Sequence, residues 1–209
     1  ILLTPILTRL YTPAAFGLAA LFSLIIVIPA VFATMGYHSA IVLPKNNSLA
    51  KIVLLLCFCS IIFITGISFF ITIFMQEIIA LKLNAPSLIN YLWLAPAFVF
   101  VHGTTMALRF WKTRFRHFSN LAVARVSEVL GKKVYQISSG VLGFTSYGSL
   151  IYGVLIASIL KCLVLIRGLN IGAISFTRRT YLKLIAVALR YKKFPQFNVW
   201  SELLNRLPA

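Results

Sequence analysis

The chain has 209 residues, 60% of them hydrophobic, and a mean hydropathy of +0.96. That is well above the roughly 45–50% apolar usage of soluble domains, and a soluble fold of this length has no interior large enough to hide it. Twenty Lys and Arg stand against three acids, Glu77, Glu128 and Glu202, for a net charge of +17. The bases lie between long apolar runs, which is the pattern of a polytopic membrane protein and not of a nucleic-acid binder. Three scattered Glu and no Asp also leave little for carboxylate-pair or Ser-His-Asp chemistry. No enzymatic activity, cofactor or metal is expected.

In chain order, residues 1–7 are apolar but far shorter than the roughly 20 needed to span, and they read as the tail of a truncated helix. Five full spans follow, at about 16–35, 52–75, 90–108, 118–144 and 147–166. Pro29 is expected to kink the first, and Pro96 falls inside the third. A stretch at 181–189, flanked by bases, is expected to lie at the interface, and residues 195–209 read as the start of another, truncated span. In lipid every backbone polar group must be satisfied internally, so the spans must be helices. The expected fold is therefore an all-α integral membrane protein. Its N-terminal bundle covers 1–194.

Alternate connections differ sharply in charge. Thirteen bases, from Lys45 to Lys193, fall on one side, and only Arg9 and Lys82 on the other. The positive-inside rule makes the basic side cytoplasmic, with the N-terminus on that side too. The cysteines Cys57, Cys59 and Cys162 lie within apolar runs without zinc-site spacing. They read as small buried apolar side chains.

The fourth span carries the most informative chemistry. At 100° per residue, Arg125, Glu128, Lys132, Gln136 and Ser139 share an arc of roughly 80°. Val123, Leu130, Val134, Ile137 and Val141 take the opposite face. Charges in the bilayer are expensive, so this stripe should face protein or a water-filled cavity. Glu128 is spaced to pair with either Arg125 or Lys132, leaving excess positive charge. Two readings stay open: a cationic cavity wall that meets an anionic substrate, or an ion cluster that holds helices together. Lys161 is a second cavity base or a side chain that snorkels to the surface. His102, with Thr104 and Thr105, is a further candidate for the cavity lining. The run Arg109, Trp111, Lys112, Arg114, Phe115, Arg116 reads mainly as lipid-headgroup contact, and Tyr37–His38 as anchoring at a helix end.

Three blocks then resemble one family. Pro5-Ile-Leu-Thr-Arg-Leu-Tyr-Thr-Pro13-Ala-Ala-Phe16-Gly17 resembles the loop between the first two helices of the polysaccharide-biosynthesis, O-antigen-flippase-like branch of the multidrug/oligosaccharidyl-lipid/polysaccharide exporters. Ala40-Ile-Val-Leu-Pro44-Lys45-Asn46 resembles the segment before its third helix. Tyr191-Lys-Lys-Phe194-Pro195, followed by Ser201 and Leu203-Leu204-Asn205, resembles the beginning of its seventh. Each block is only moderately specific, but the three in order cover nearly the whole chain.

The resemblance implies the first six-helix half of a two-bundle transporter in the bacterial inner membrane. Its substrate would be an anionic, undecaprenyl-pyrophosphate-linked oligosaccharide moved by alternating access, with membrane lipids and no nucleic acid as the other partners. Arg125 stands where the family keeps an Arg. Ala14 and Ala15 replace common acids, and Gly36-Tyr37-His38 replaces an Arg-Tyr-Glu stretch, which removes the Arg and Glu of any ion pair made there. The competing functions are a multidrug exporter of the same fold, a membrane-bound glycosyltransferase or polymerase, and a non-catalytic scaffold. Cationic drugs favour acidic cavities, and Glu77 is the only loop acid before Glu202 for an enzyme to use.

Overall fold

The computed structural model describes residues 4–143, 147–167, 169 and 178–206. Among these residues every regular element is helical: α1 (Thr4–Leu10), α2 (Pro13–Phe32), α3 (Tyr37–Ala40), α4 (Asn47–Lys82), α5 (Ile89–Leu92), α6 (Ala95–Arg114), α7 (Phe118–Val141), α8 (Tyr147–Ile166), α9 (Arg178–Arg190) and α10 (Lys193–Arg206). The chain is an all-α membrane protein.

Local chemistry sets the boundaries. Thr12 caps α2, its hydroxyl accepting from the Ala15 amide, and Pro13 opens the helix where no amide partner is needed. Asn46 caps α4 by accepting from Ser48 N. With no proline or further glycine after Gly66, α4 then runs past the expected end at 75, through Gln76 and Glu77, to Lys82. Its 36 residues make a rod of about 54 Å, longer than the roughly 30 Å hydrocarbon core, so it tilts or projects beyond it. Asn84 at φ 49° ends the run.

The third span differs most from expectation. Instead of one helix at 90–108, a turn at Pro86–Leu88 and the short α5 meet α6 at a bend of 52°. Pro96 sits in the first turn of α6, where its missing N–H leaves no bond unmade, and that position marks a new helix start. By length and composition three helices are able to cross a membrane, Pro13–Phe32, Asn47–Lys82 and Gly148–Ile166, or four if the bent pair is one span. α7 is long enough at 24 residues, but its charges keep it out of that set, so the expectation of five spans is met only in part. Phe144, the expected end of that span, lies outside the described residues.

Two larger apolar clusters hold the bundle. One joins α3, α4, α6 and α9 through Tyr37, Ile41, Val53, Leu54, Ile61, Trp111 and Val187. The other joins α2, α5, α6 and α8 through Phe22, Ile26, Leu92, Phe98 and Ile151. Gly103 lets α6 approach its neighbours closely. A Cβ there would lie 2.8 Å from Ile61 Cγ1 and 3.0 Å from Ala33 Cβ. Small residues at helix crossings are how membrane bundles gain contact, since lipid tails supply no hydrophobic drive between helices. The outside is apolar instead: Phe63, Phe70 and Phe74 of α4 and Val123, Leu130, Val134 and Val141 of α7 are exposed. Ile137, expected on that outer face, packs half-buried beside Leu7, Tyr11 and Leu150.

Candidate functional site

The most extensive helix pair is α7 with α8. Gly131 makes it close, since a Cβ there would meet Leu160 Cδ1 at 2.6 Å. This contact places Lys161 of α8 over the polar stripe of α7. Glu128 is spaced for Arg125 or Lys132 on its own helix, but its two partners are Arg125 and Lys161. The same oxygen, Glu128 Oε2, accepts from Arg125 Nη1 at 2.9 Å and from Lys161 Nζ at 3.0 Å. The side chain of Arg125 is 71% exposed, whereas those of Glu128 and Lys161 are 24% and 20% exposed. Lys161 is therefore bound within the protein and does not snorkel.

Beside this cluster lies an open cavity of about 540 Å³, lined by Arg109 of α6, Leu121, Ala122, Ala124 and Arg125 of α7, and Lys161 and Leu165 of α8. Three bases from three helices thus face one space, with one carboxylate attached to two of them. Each base lies five to seven residues from the end of its helix at the same end of the bundle, a depth of about 8–11 Å. Three bases against a single carboxylate leave this concave wall with excess positive charge, which favours an anion, above all a phosphate that accepts several charge-assisted hydrogen bonds at once.

A second cavity of about 240 Å³ lies between α2, α6, α7 and α8. Phe22, Ile26, Phe98, His102, Glu128 and Ser158 are among its lining residues. His102 therefore lines this mostly apolar space together with Glu128, and not the cavity of the three bases. Thr104 and Thr105 are buried and line neither cavity.

The remaining stripe residues separate. Gln136 and Ser139 are buried, at 3% and 7% exposure, and belong to a clamp. Tyr11 donates to the Gln136 carbonyl at 2.8 Å and lies 2.8 Å from Ser139 Oγ, while Gln136 Nε2 donates to the Leu150 carbonyl at 3.3 Å. These bonds tie the α1–α2 connection to α7 and α8, so Gln136 holds helices together. Lys132 is half-buried and lines neither of the two cavities.

The basic run after α6 also divides. Arg109 faces the cavity, but Lys112 is only 2% exposed and donates to the Arg167 carbonyl at 2.8 Å. Arg114 bonds the carbonyls of Ile41 and Val42 and Asn47 Oδ1, fixing the α3–α4 connection. Neither is the headgroup contact expected from its surroundings in sequence. Of the cysteines Cys57 is buried as expected, whereas Cys59 is exposed.

Sequence reasoning missed His38. It is 1% exposed, with Nδ1 2.6 Å from Thr34 Oγ1 and Nε2 2.9 Å from Glu202 Oε1, and its ring meets Phe110 edge-on at 4.7 Å. It docks α10 onto the α2–α3 turn and is not a surface anchor. Gly36, at φ 72°, permits that docking, because a Cβ there would lie 3.0 Å from both the Phe194 carbonyl oxygen and Asn198 Cβ. Burial, and then the neighbouring Cys57, raises the Tyr37 phenol above its ordinary value. The only local signal was a His in place of an acid in a recognisable segment.

Fold and site together define a multi-pass, all-α membrane protein with a basic cavity near one end of its helices. The chain belongs to the polysaccharide biosynthesis protein family, which matches it over residues 6–191. Comparison with curated proteins and with solved structures gives no match. Membership places the chain in the assembly or export of polysaccharide.

Proposed function

We propose that the protein is a flippase that carries lipid-linked oligosaccharide across the bacterial inner membrane, taking its diphosphate headgroup into the basic cavity and working by alternating access. The observation that carries this reading is the convergence of Arg109, Arg125 and Lys161 from three helices on one cavity. The charge asymmetry of the connections supports this reading, since the positive-inside rule favours the cytoplasmic leaflet for that end of the bundle. A depth of about 8–11 Å from the helix ends is where a headgroup leaves the interface for the hydrocarbon. A diphosphate and its bases, desolvated together, each lose less than either would alone. Cationic drugs would be repelled from such a wall, which disfavours the multidrug reading.

The test uses the full-length protein in a strain lacking its own flippase, scored for surface polysaccharide at matched membrane abundance. Wild type is expected to restore polysaccharide, Arg125→Gln and Lys161→Gln to lose it, and Lys132→Gln to keep it. Restoration undiminished by the first two substitutions would overturn the site and leave those charges a structural role.

A further inference from the structure

We infer that Glu128 is a built-in competitor for the anion site: it neutralises the cavity bases when the site is empty and is displaced when a diphosphate arrives. The inference rests on the anion-binding reading of the cavity and adds to it the residue that governs occupancy.

A single carboxylate oxygen of Glu128 holds bases from two different helices, at 2.9 and 3.0 Å. Those two bases also line the 540 Å³ cavity. Glu128 therefore occupies donors that an incoming phosphate oxygen would use. Arg125 and Lys161 have further N–H groups to offer, so the hydrogen bonds alone can be shared. The charge cannot be shared in the same way. A diphosphate drawn to the bases stands within a few ångströms of the carboxylate and is repelled by it.

The carboxylate also has somewhere to go. Glu128 already lines the neighbouring 240 Å³ cavity, whose wall includes Ser158 and His102. A swing toward that space frees Arg125 and Lys161 without moving a helix. When the ligand departs, Glu128 recaptures both bases, so the mostly buried Lys161 is not left unneutralised. The same exchange weakens ligand binding and speeds release, which a transporter needs as much as capture.

The test is diphosphate affinity, measured on the full chain. Inorganic pyrophosphate is titrated calorimetrically into protein in detergent, and a polyprenyl diphosphate is titrated into protein in nanodiscs, which separates a free anion from a lipid headgroup. Glu128→Gln keeps the shape and removes the charge, and is expected to tighten binding by about tenfold, a value reduced for the exposure of Arg125. Glu128→Asp withdraws the carboxylate by one methylene and is expected to tighten binding by less, so it serves if the Gln variant does not fold.

Tightening with both probes supports the inference and shows that the headgroup suffices. Tightening with the lipid alone supports it and makes the lipid the ligand. Unchanged or weaker binding in the Glu128 variants, with Arg125→Gln and Lys161→Gln both weaker than wild type, overturns the inference and leaves the anion site standing. If those two base variants bind as well as wild type, the anion site itself fails, and the competitor role with it.

Discussion

Tyr11→Phe separates the two roles that the polar stripe of α7 combines. The phenol donates to the Gln136 carbonyl at 2.8 Å and lies 2.8 Å from Ser139 Oγ, with Tyr11 itself 3% exposed. Removing the hydroxyl keeps the ring in place beside Leu7, Ala15 and Leu150 and deletes only those polar contacts. A net hydrogen bond is worth about 0.5–1.5 kcal/mol in soluble proteins, and about 0.6 kcal/mol on average between membrane helices. Two lost contacts therefore amount to roughly 1–2 kcal/mol, or about 2–8 °C in Tm for a domain of this size. The assay is a thermal shift in detergent, run alongside pyrophosphate titration. Lower stability with unchanged diphosphate affinity is expected for Tyr11→Phe, and likewise for Gln136→Leu. Unaltered stability with weakened affinity would refute the clamp and return Gln136 to the binding site.

Three further outcomes test the fold around the site. Gly103→Ala is expected to destabilise by about 1–3 kcal/mol through overpacking against Ile61 and Ala33. Gly66→Ala, in a helix position with no atom within 4 Å of the added carbon, is expected to stabilise by about 0.5–1 kcal/mol, and thermal melts compare the pair. His38→Leu removes the imidazole that binds Glu202, so α10 should undock more often and tryptic cleavage after the exposed Lys192 should quicken on the order of tenfold. An unchanged rate would mean that apolar packing alone holds α10. In a background without Cys57, Cys59 and Cys162, single cysteines at Lys45 and Lys82 should react with an impermeant thiol reagent from opposite membrane faces. Labelling from the same face would overturn the topology drawn from the charge asymmetry.

What the sequence disclosed follows from the range of each signal. Helical periodicity is local, so α7 begins at Phe118 and α8 spans Tyr147–Ile166 as expected, and Val123, Leu130, Val134 and Val141 face outward. The same local view offers Glu128 both Arg125 and Lys132, and in the structure it takes Arg125. Its second partner came from α8, through a rotation fixed by the Gly131–Leu160 contact, which no spacing within α7 encodes. Gln136 shares the angle of the charged residues, yet the Leu150 carbonyl of α8 binds its side-chain amide and Tyr11, 125 residues away in sequence, binds its backbone carbonyl, so it lies in the core. Pro96 was visible as a proline, but whether it kinks a helix or opens one depends on the residues before it. The turn at Pro86–Leu88 and the 52° bend decided in favour of a new start.

The scarcity of acids gives their placement its weight. Glu77 is exposed on α4, whereas Glu128 and Glu202 each hold a basic side chain of another helix. Glu202 binds a buried imidazole at the junction of α10 with the α2–α3 turn, where a half-buried carboxylate and a buried ring satisfy one another. Glu128 is different, because its two bases also line open space large enough for a ligand. An ion pair whose only task is to join helices gains from closure, since every ångström of water left beside it weakens the attraction. A pair left open on one side, with Arg125 largely exposed, gives up that strength and keeps its donors within reach of a competing anion. The geometry of the Glu128 cluster is therefore that of an exchangeable partner, and the affinity of the Glu128→Gln variant is the quantity that distinguishes it from a helix tie.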